Sequence, residues 1–496
     1  MIHTWGKDAW QSLPESALRR LQAAKLRRYL RDVVAPFSPH YREVFAKNKI
    51  DPDSIRTLDD LRRIPFTSKP DLLGTVREFV LTPDRKQLAR RPSTILRALV
   101  MGRDRVARGF EREFRPTLMT STTGRSAEPV PFFYTAHDIA AMETAGERVM
   151  QVCCADREMR MMNVFPFAPH LAFWVTHYSG TKFGVFMLST GGGKTLGTDG
   201  NLRLVKKIQP DVIIGMPTFI YHLLHEAAVG GVRCPNLSKL VLGGEKVPTG
   251  IRRKLRAMAR ELGATKVDVL ATYGFTEAKM AFPECPFPED GTSGGYHIFP
   301  DLGIVEIVDP KTGEPVPHGS PGEIVFTPLE ARGSVVLRYR TGDCIDGGIV
   351  FDKCPHCGRC CPRLVGRISR RSDVKEMRLE KLKGTLVDFN QLEHVLDNTG
   401  HVGAWQLEIR KRHDDPLELD ELILHVEKRG HVGDAQLRDE LNRRFADETE
   451  VHPNKILFHS VDELRRMLGI GTKLKEERVV DNRPKTDAAL LAQTQT

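Results

Sequence analysis

The chain has 496 residues, 40% of them hydrophobic and 28% charged, which is typical of globular proteins and too long for one hydrophobic core. No apolar run reaches about 18 residues, and the first residues lack the apolar core of a signal peptide. We therefore expect a cytoplasmic protein of two or three domains, with no membrane partner.

The formal net charge of +10 suits a protein that binds anionic ligands. Lys and Arg residues are spread along the whole chain, and no basic stripe interleaved with aromatic residues is apparent. We therefore expect a generally basic enzyme with no nucleic-acid partner, and an anionic cofactor such as a nucleotide is compatible with this charge.

The N-terminal region is predicted to be helical. Its segment ESALRRLQAAKLRRYLRDVV places Leu26, Tyr29, Leu30 and Val33 on one face at helical spacing. Capping residues and prolines in the segment that follows predict short helices and turns.

Between about residues 115 and 350, β-rich runs alternate with helical stretches. The predicted strands lie in MRMMNVFPF, DVIIGMP, KLVLGG and KVDVLATYG, and the predicted helices in FIYHLLHEAA and GIRRKLRAMARELG. This alternation predicts a layered α/β domain with ligand-binding loops at the strand ends.

The C-terminal part changes character. Apolar runs at Ala404–Arg410 and Glu421–Glu427 predict strands, followed by a helix in DAQLRDELNRRFADE and a strand in KILFHSV. We expect a large N-terminal domain over 1–365, β-rich at about 280–362, and a small α+β domain over 366–496.

Two glycine-containing segments are candidate phosphate loops. The segment TSTTGRSAEPV, at 120–130, offers hydroxyls, free N–H groups and Arg125, although a polar surface turn has the same composition. The segment STGGGKTLG matches only the end of a P-loop, because Leu188 stands where its first glycine belongs and no strand–loop–helix context is evident.

Four motifs follow the first loop in order. They are LVLGGEKVP with Gly243, Gly244 and Glu245; ATYGFTEA with Tyr273, Gly274, Thr276 and Glu277; LRYRTGD with Asp343; and VGRISRRSD with Arg367. This series resembles the adenylate-forming superfamily, which includes acyl- and aryl-CoA synthetases, adenylation domains and luciferase-like enzymes.

Three longer segments narrow the resemblance. They are YREVFAKNKIDPDSIRTLDDLRRIPFTSKPDLL, ECPFPEDGTSGGYHIFPDLGIVEIVDPKTGEPVPHGSPGEIVFT and KLKEERVVDNRPK. They resemble phenylacetate–CoA ligases and the related coenzyme F390 synthetases, over about residues 40 to 485. The resemblance implies an adenylate-forming fold with a small, mobile C-terminal domain, and ATP, Mg²⁺ and coenzyme A as ligands.

The resemblance also implies roles on the phosphate side of the nucleotide. Glu277 would hold Mg²⁺, since a hard cation prefers carboxylate oxygens, and Thr276 would contact the α-phosphate. Lys475 on the C-terminal domain would meet the acyl phosphate, although Lys473 lies two residues away. The β- and γ-phosphates would be wrapped by Thr120, Ser121, Thr122, Thr123, Gly124 and Arg125.

On the nucleoside side, Tyr273 and Gly274 would lie against the adenine, with Gly243–Glu245 opposite. Asp343 would accept hydrogen bonds from both ribose hydroxyls. Arg367 would lie near the ribose at the hinge, where Arg371 competes with it because this hinge is longer than the family's. His170 would border the acyl pocket.

These residues have other interpretations as well. Glu277 could open a helix in TEAKMAF, Asp343 could be a turn aspartate after Gly342, and Tyr273 or His170 could be ordinary core or turn residues. The phosphate loop also departs from the family pattern: Ser121 replaces a glycine and Arg125 replaces a lysine, which alters backbone freedom and phosphate geometry.

Clustered cysteines suggest a metal site. Cys354 and Cys357 have the C-x-x-C spacing of half a zinc site, and Cys285 and His297 lie upstream. The neighbours of the pair, Cys360 and Cys361, could substitute as ligands. The resemblance implies a structural zinc ion held between these two segments.

Three hypotheses follow from the sequence. The first is an AMP-forming acid–CoA ligase acting on an aryl or other small carboxylic acid. The second keeps the adenylation but passes the acyl or AMP group to a carrier-protein thiol, an amine or a cofactor hydroxyl. The third is a nucleotide-binding member that has lost catalysis. The resemblance leaves a homodimer open.

Overall fold

A computed structural model describes residues 9–122, 129–167, 169–370, 374–379, 382–414, 420–449, 451–470 and 476–483. The candidate residues Thr123, Gly124, Arg125, Arg371, Lys473 and Lys475 lie outside these ranges. Among the described residues, no helix combines the length and apolar character needed to cross a bilayer.

The chain forms two compact units. One comprises Met1–Lys246 with Met258–Ile368, and the other Val247–Ala257 with Ser369–Thr496. The boundary expected between 365 and 366 remains a prediction. The mixture of helices and sheets confirms the predicted α/β class.

The helices are, in chain order, α1 Ala9–Ser12, α2 Glu15–Tyr29, α3 Ala35–Phe37, α4 Pro39–Lys47, α5 Lys69–Leu72, α6 Arg85–Arg90, α7 Pro92–Met101, α8 Arg103–Phe114, α9 Ala136–Val152, α10 Leu171–Phe183, α11 Gly192–Ile208, α12 Pro217–Val229, α13 Thr249–Glu261, α14 Phe389–Asp397, α15 Asp434–Glu448 and α16 Val461–Leu468.

The strands are β1 Pro116–Ser121, β2 Pro131–Thr135, β3 Arg160–Asn163, β4 Phe186–Ser189, β5 Val212–Gly215, β6 Lys239–Gly243, β7 Asp268–Phe275, β8 Met280–Pro283, β9 Tyr296–His297, β10 Gly303–Val308, β11 Gly322–Pro328, β12 Tyr339–Ile345, β13 Ile349–Val350, β14 Arg363–Leu364, β15 Ile368–Arg370, β16 Val374–Leu379, β17 Leu382–Asp388, β18 Val402–Lys411, β19 Asp420–Lys428, β20 Lys455–His459 and β21 Val479–Asp481.

A six-stranded sheet of order β4-β3-β5-β6-β7-β8 organises the first unit. Its first five strands are parallel, and β8 returns antiparallel to β7. Strands β5 and β6 are buried along their whole length, as expected for a parallel sheet covered on both faces. The carboxyl ends of the parallel strands therefore share one edge, where ligands bind in such sheets.

The predicted context of STGGGKTLG is wrong. The segment follows β4 and opens α11, so a strand, a loop and a helix do surround it. The strand escapes detection because it has four residues at the sheet edge and its Phe186 is 53% exposed. Leu188 still occupies the position that a P-loop needs for glycine.

The N-terminal helices pack as predicted. Leu26, Tyr29, Leu30 and Val33 are all buried, in a core that also takes residues from β2 and from the segment before β12. Because these apolar residues recur at helical spacing, burying them fixes the helices against the sheet-forming part of the unit.

The C-terminal unit contains a sheet of order β20-β19-β18-β21. Trp405, Leu407 and Leu424 belong to the core that also contains residues of α14 and α15. The predicted helix over residues 434–448 and the strands on either side of it are all present.

A buried ion pair joins three distant segments of the first unit. Lys279 Nζ lies 3.1 Å from Asp138 Oδ1, and the two side chains are 7% and 1% exposed. The Asp138 carboxylate also accepts hydrogen bonds from the backbone N–H groups of Thr135, Arg332 and Gly333. Burial tends to raise the pKa of Asp138, but Lys279 and these N–H groups hold it below its usual value.

Breaking this pair should destabilise the first unit strongly. We expect Lys279→Met to lower the free energy of unfolding by about 3–5 kcal/mol, because it leaves the Asp138 carboxylate buried without its countercharge. Urea unfolding followed by fluorescence measures the change.

The matched control is Arg260→Gln, which breaks an exposed pair in which Arg260 Nη2 lies 2.5 Å from Glu289 Oε2. Its effect should stay below about 1 kcal/mol. Equal effects of the two substitutions would contradict a structural role for the buried pair.

Candidate active site

The candidate phosphate loop is connected to the turn that carries Glu277. Thr120 Oγ1 lies 2.9 Å from Tyr134 Oη, and Tyr134 Oη donates to the carbonyl oxygen of Thr276 over 3.4 Å. Burial raises the pKa of Tyr134, so its hydroxyl stays protonated and able to donate. This connection sets the distance between two motifs that are far apart in the sequence.

Glu277 lies in a 3-10 turn, Thr276–Ala278, between β7 and β8. The alternative that TEAKMAF opens an α-helix is therefore wrong, because the chain turns back as an antiparallel strand. Glu277 is buried, and its Oε1 accepts a 2.6 Å hydrogen bond from Tyr339 Oη. Its carboxylate is thus oriented by a partner on another strand.

Asp343 and Tyr273 are hydrogen-bonded to each other. Tyr273 Oη donates to Asp343 Oδ2 over 2.9 Å, and the Asp343 N–H donates to Thr341 Oγ1 over 3.0 Å. Asp343 belongs to β12 and not to a turn after Gly342. Along this strand residues 339, 341 and 343 are buried in alternation, so Tyr339, Thr341 and Asp343 share one face.

The GGE motif follows β6 at the carboxyl edge of the sheet. A Cβ at Gly243 would lie 2.5 Å from Thr272 Oγ1, so a larger residue would displace this hydroxyl from its hydrogen bond with the carbonyl oxygen of Leu242. Gly244 has φ +82°, a conformation that side chains disfavour. Glu245 Oε2 accepts a 2.7 Å hydrogen bond from Thr218 Oγ1 at the start of α12, which fixes the loop against its neighbour.

His170 contacts the candidate phosphate loop. Its Nδ1 lies 3.2 Å from the carbonyl oxygen of Ser121, and the Ser121 N–H donates to Pro169 O over 2.5 Å. Nearby, Phe167 makes an edge-to-face contact of 5.0 Å with Phe173 on α10. An aromatic cluster therefore lies beside the beginning of the loop.

Arg367 lies between β14 and β15. Its side chain is 70% exposed and forms an ion pair of 3.0 Å with Asp346. Lys475, the predicted catalytic lysine, and Thr123, Gly124 and Arg125 lie outside the described residues. Their roles stay predictions.

The four predicted zinc ligands come together. The ligand atoms of Cys285, His297, Cys354 and Cys357 all lie within 4.8 Å of one another. Cys285 Sγ is 3.7 Å from Cys354 Sγ, and His297 Nε2 is 3.2 Å from Cys357 Sγ. Hydrogen bonds from the Cys285 thiol lower the pKa values of Cys354 and Cys357, which favours thiolates at these positions.

Cys360 and Cys361, the possible substitute ligands, are not part of this cluster among the residues that the structure describes. Cys361 is buried, and burial raises its pKa to about 12, which keeps the thiol protonated. Cys360 is partly buried and is likewise not a member of this group of ligand atoms.

Sequence reasoning missed Tyr134, Asp138, Lys279 and Tyr339. Tyr339 could have been found, because the alternation Y-x-T-x-D in LRYRTGD places it on the face of Asp343. Lys279 gives no such signal, since it has φ +58° and pairs with a residue far away in the sequence.

Comparisons with known proteins agree with this geometry. A family model described as an AMP-binding enzyme matches residues 133–329. A phenylacetate-coenzyme A ligase of Thermus thermophilus is 26% identical over 443 residues, covering 88% of this chain and 84% of the relative. A second phenylacetate-coenzyme A ligase, of Aromatoleum evansii, is 26% identical over 492 residues. The alignment covers 95% of this chain and 96% of the relative.

Solved structures support the fold. A 2-hydroxyisobutyryl-CoA ligase in the postadenylation state aligns with a TM-score of 0.74 at 20% identity, covering 100% of this chain and 96% of the other. The family match, the two full-length relatives and the ordered motifs point the same way. Residues 133–329 therefore match the AMP-binding enzyme family, and the chain is similar over most of its length to phenylacetate-coenzyme A ligases.

Proposed function

We propose that the protein is an ATP-dependent, AMP-forming ligase that joins a small carboxylic acid to coenzyme A. The observation that carries this proposal is the position of Glu277. Its buried carboxylate receives a hydrogen bond from Tyr339, and the carbonyl of the preceding Thr276 receives one from Tyr134, which also contacts Thr120. A carboxylate of the kind that ligates Mg²⁺ is thereby fixed beside the candidate phosphate loop.

The reaction has two steps. The substrate carboxylate attacks the α-phosphorus of ATP, which forms an acyl adenylate and releases pyrophosphate. The thiol of coenzyme A then attacks the acyl carbon, which forms a thioester and releases AMP and the thiol proton. Both steps depend mainly on in-line positioning and charge stabilisation, and the protein makes no covalent bond to the substrate.

The described residues would divide this work. Mg²⁺, when bound, would neutralise phosphate charge, and Glu277 supplies the oxygen ligands that such a hard cation prefers. Thr276 would contact the α-phosphate, and Asp343 would accept hydrogen bonds from the ribose while Tyr273 orients its carboxylate. Gly243 and Gly244 have no side chains, so the adenine would be able to pack against the backbone there.

The remaining residues are assigned by the family resemblance. The loop residues Thr120–Arg125 would bind the outer phosphates, and Lys475 would meet the acyl phosphate. Arg367 would approach the ribose once its pairing with Asp346 is released. These roles complete the charge stabilisation that adenylation needs.

The acid is proposed to be an aryl or another small acid. His170 contacts the start of the phosphate loop, and Phe167, Phe173 and Trp174 cluster next to it. Flat aromatic walls suit an aryl side chain. The two relatives are named for phenylacetate, an acid with an aromatic ring, which also supports an aryl substrate.

Replacing Glu277 should slow adenylation strongly. With ATP, Mg²⁺ and a panel of aryl and short acyl acids, Glu277→Gln is expected to lower acid-dependent pyrophosphate release on the order of 100-fold, because it removes a charged ligand without changing size. Thioester formation with coenzyme A is measured in parallel by chromatography.

The control is Glu289→Gln, which removes the same charge from a residue paired with Arg260 on the surface. It should leave the rate within about twofold of the parent. Acid-dependent pyrophosphate release without thioester would move the proposal to a carrier-protein or amine acceptor. ATP binding without release for any acid would favour a member that has lost catalysis.

We also propose that Cys285, His297, Cys354 and Cys357 hold a structural zinc ion. A tetrahedral ion with Zn–S bonds of about 2.3 Å separates two sulfurs by about 3.8 Å. The observed separation of Cys285 and Cys354 is 3.7 Å, so the donor set fits. Four protein ligands leave no open position, so the ion would hold β9 and the 354–357 turn together and take no part in the reaction.

Metal analysis tests this assignment directly. We expect about one zinc ion per purified chain, and less than about a tenth of that in Cys357→Ser, since a closed site loses its ion with a ligand. The matched control is Cys360→Ser, which changes a cysteine three residues away and should retain the zinc. A zinc-free parent protein, or equal zinc in both variants, would contradict the proposal.

A further inference from the structure

The helical hairpin of α7 and α8 exposes an apolar face. Ile95 and Leu96 are 49% and 64% exposed, and Leu99 and Val100 are 80% and 77% exposed. At 100° per residue these four side chains occupy one side of α7, while Thr94 on the other side is buried. Contiguous exposed apolar surface of this kind marks an interaction site.

The base of the hairpin is firmly attached to the first unit. Leu88 before α7 and Phe114 at the end of α8 are buried in the core, and Phe114 packs edge to face against Phe37 at 5.4 Å. Glu113 forms an ion pair of 2.8 Å with Arg332. Gly102, with φ +84°, makes the turn between the helices. The apolar face is therefore held outward by the fold.

The segment that forms the hairpin is strongly basic. Residues 85–115 contain ten Lys or Arg against three Asp or Glu, a net charge of +7, whereas the whole chain carries +10. Arg105, Arg108 and Arg112 on α8, and Arg115 directly after it, are all exposed and recur at helical spacing, opposite the buried Val106. The expectation of evenly spread charge is thus wrong for this segment.

We infer that this hairpin docks the protein on an anionic lipid bilayer, with α7 lying in the interface. Aliphatic side chains flanked by arginines are what an interfacial helix needs, since the former enter the acyl region and the latter meet lipid phosphates. The absence of a long apolar run concerns only membrane-spanning helices, so it does not bear on docking at the surface.

Charge and side-chain chemistry also distinguish an anionic bilayer from other possible partners of the hairpin. In a symmetric dimer through this face, two segments that each carry a net charge of +7 would meet and repel each other. A nucleic acid would use the arginines but has no need of four exposed aliphatic residues, and α7 offers no aromatic side chain for stacking on bases. An anionic bilayer uses both features.

Vesicle flotation with the full-length protein tests the inference, and it does not rest on the proposed enzymatic function. The vesicles contain phosphatidylcholine alone or with about 30% phosphatidylglycerol, at an ionic strength of about 0.1 M. We expect the protein to float with the anionic vesicles only, and to be released as salt is raised.

Two variants separate the apolar and the charged contributions. Leu99→Ser combined with Val100→Ser should lower the partition coefficient at least about tenfold. Arg105→Gln combined with Arg112→Gln should lower it about fivefold for each arginine. All four side chains are exposed, so thermal unfolding should match that of the parent.

Matched controls lie elsewhere on the surface. Val229→Ser removes an apolar residue that is 73% exposed, and Arg42→Gln combined with Arg443→Gln removes two exposed charges. Both should leave binding within about twofold of the parent. No flotation, equal binding to neutral vesicles, or equal losses in the control variants would overturn the inference. So would a dimer in analytical ultracentrifugation that the Leu99→Ser, Val100→Ser variant abolishes.

Discussion

The ion pair between Asp138 and Lys279 holds the candidate active site together. Asp138 opens α9, Lys279 directly follows the Thr276–Ala278 turn, and the Asp138 carboxylate also binds the N–H groups of Arg332 and Gly333. A charge buried this deeply is tolerated only when it is fully paired. The pair therefore requires these segments to meet, and the turn with Glu277 cannot move without exposing a buried charge.

The site follows from this constraint together with the parallel sheet. The sheet brings the ends of β6 and β7 to one edge, so the GGE loop and the Tyr273–Glu277 segment are neighbours. Side-chain hydrogen bonds then connect segments from outside the sheet to this edge. Tyr134 bonds to Thr120 at the start of the candidate phosphate loop, and Tyr339 connects β12, which carries Asp343, to Glu277. The tyrosines thus position the acidic residues whose charges a nucleotide and its cation would use.

The sequence reveals the local parts of this arrangement and not the long-range ones. Periodicity places strands β5 to β7 and helix α15, because each carries a clear apolar pattern. Motif order also nominates Glu277 and Asp343 as candidate site residues. The pairing of Asp138 with Lys279 depends on tertiary packing and has no local signal. The exposure of one face of α7 likewise depends on tertiary packing.

The most direct test of the central claim is exchange of labelled pyrophosphate into ATP, measured without coenzyme A across a panel of carboxylic acids. Adenylation is reversible and precedes thioester formation. We therefore expect exchange of labelled pyrophosphate into ATP that depends on an acid and needs no thiol. The acids that support it would identify the substrate class. No exchange with any acid, from protein that still binds ATP, would contradict the claim that this site forms acyl adenylates.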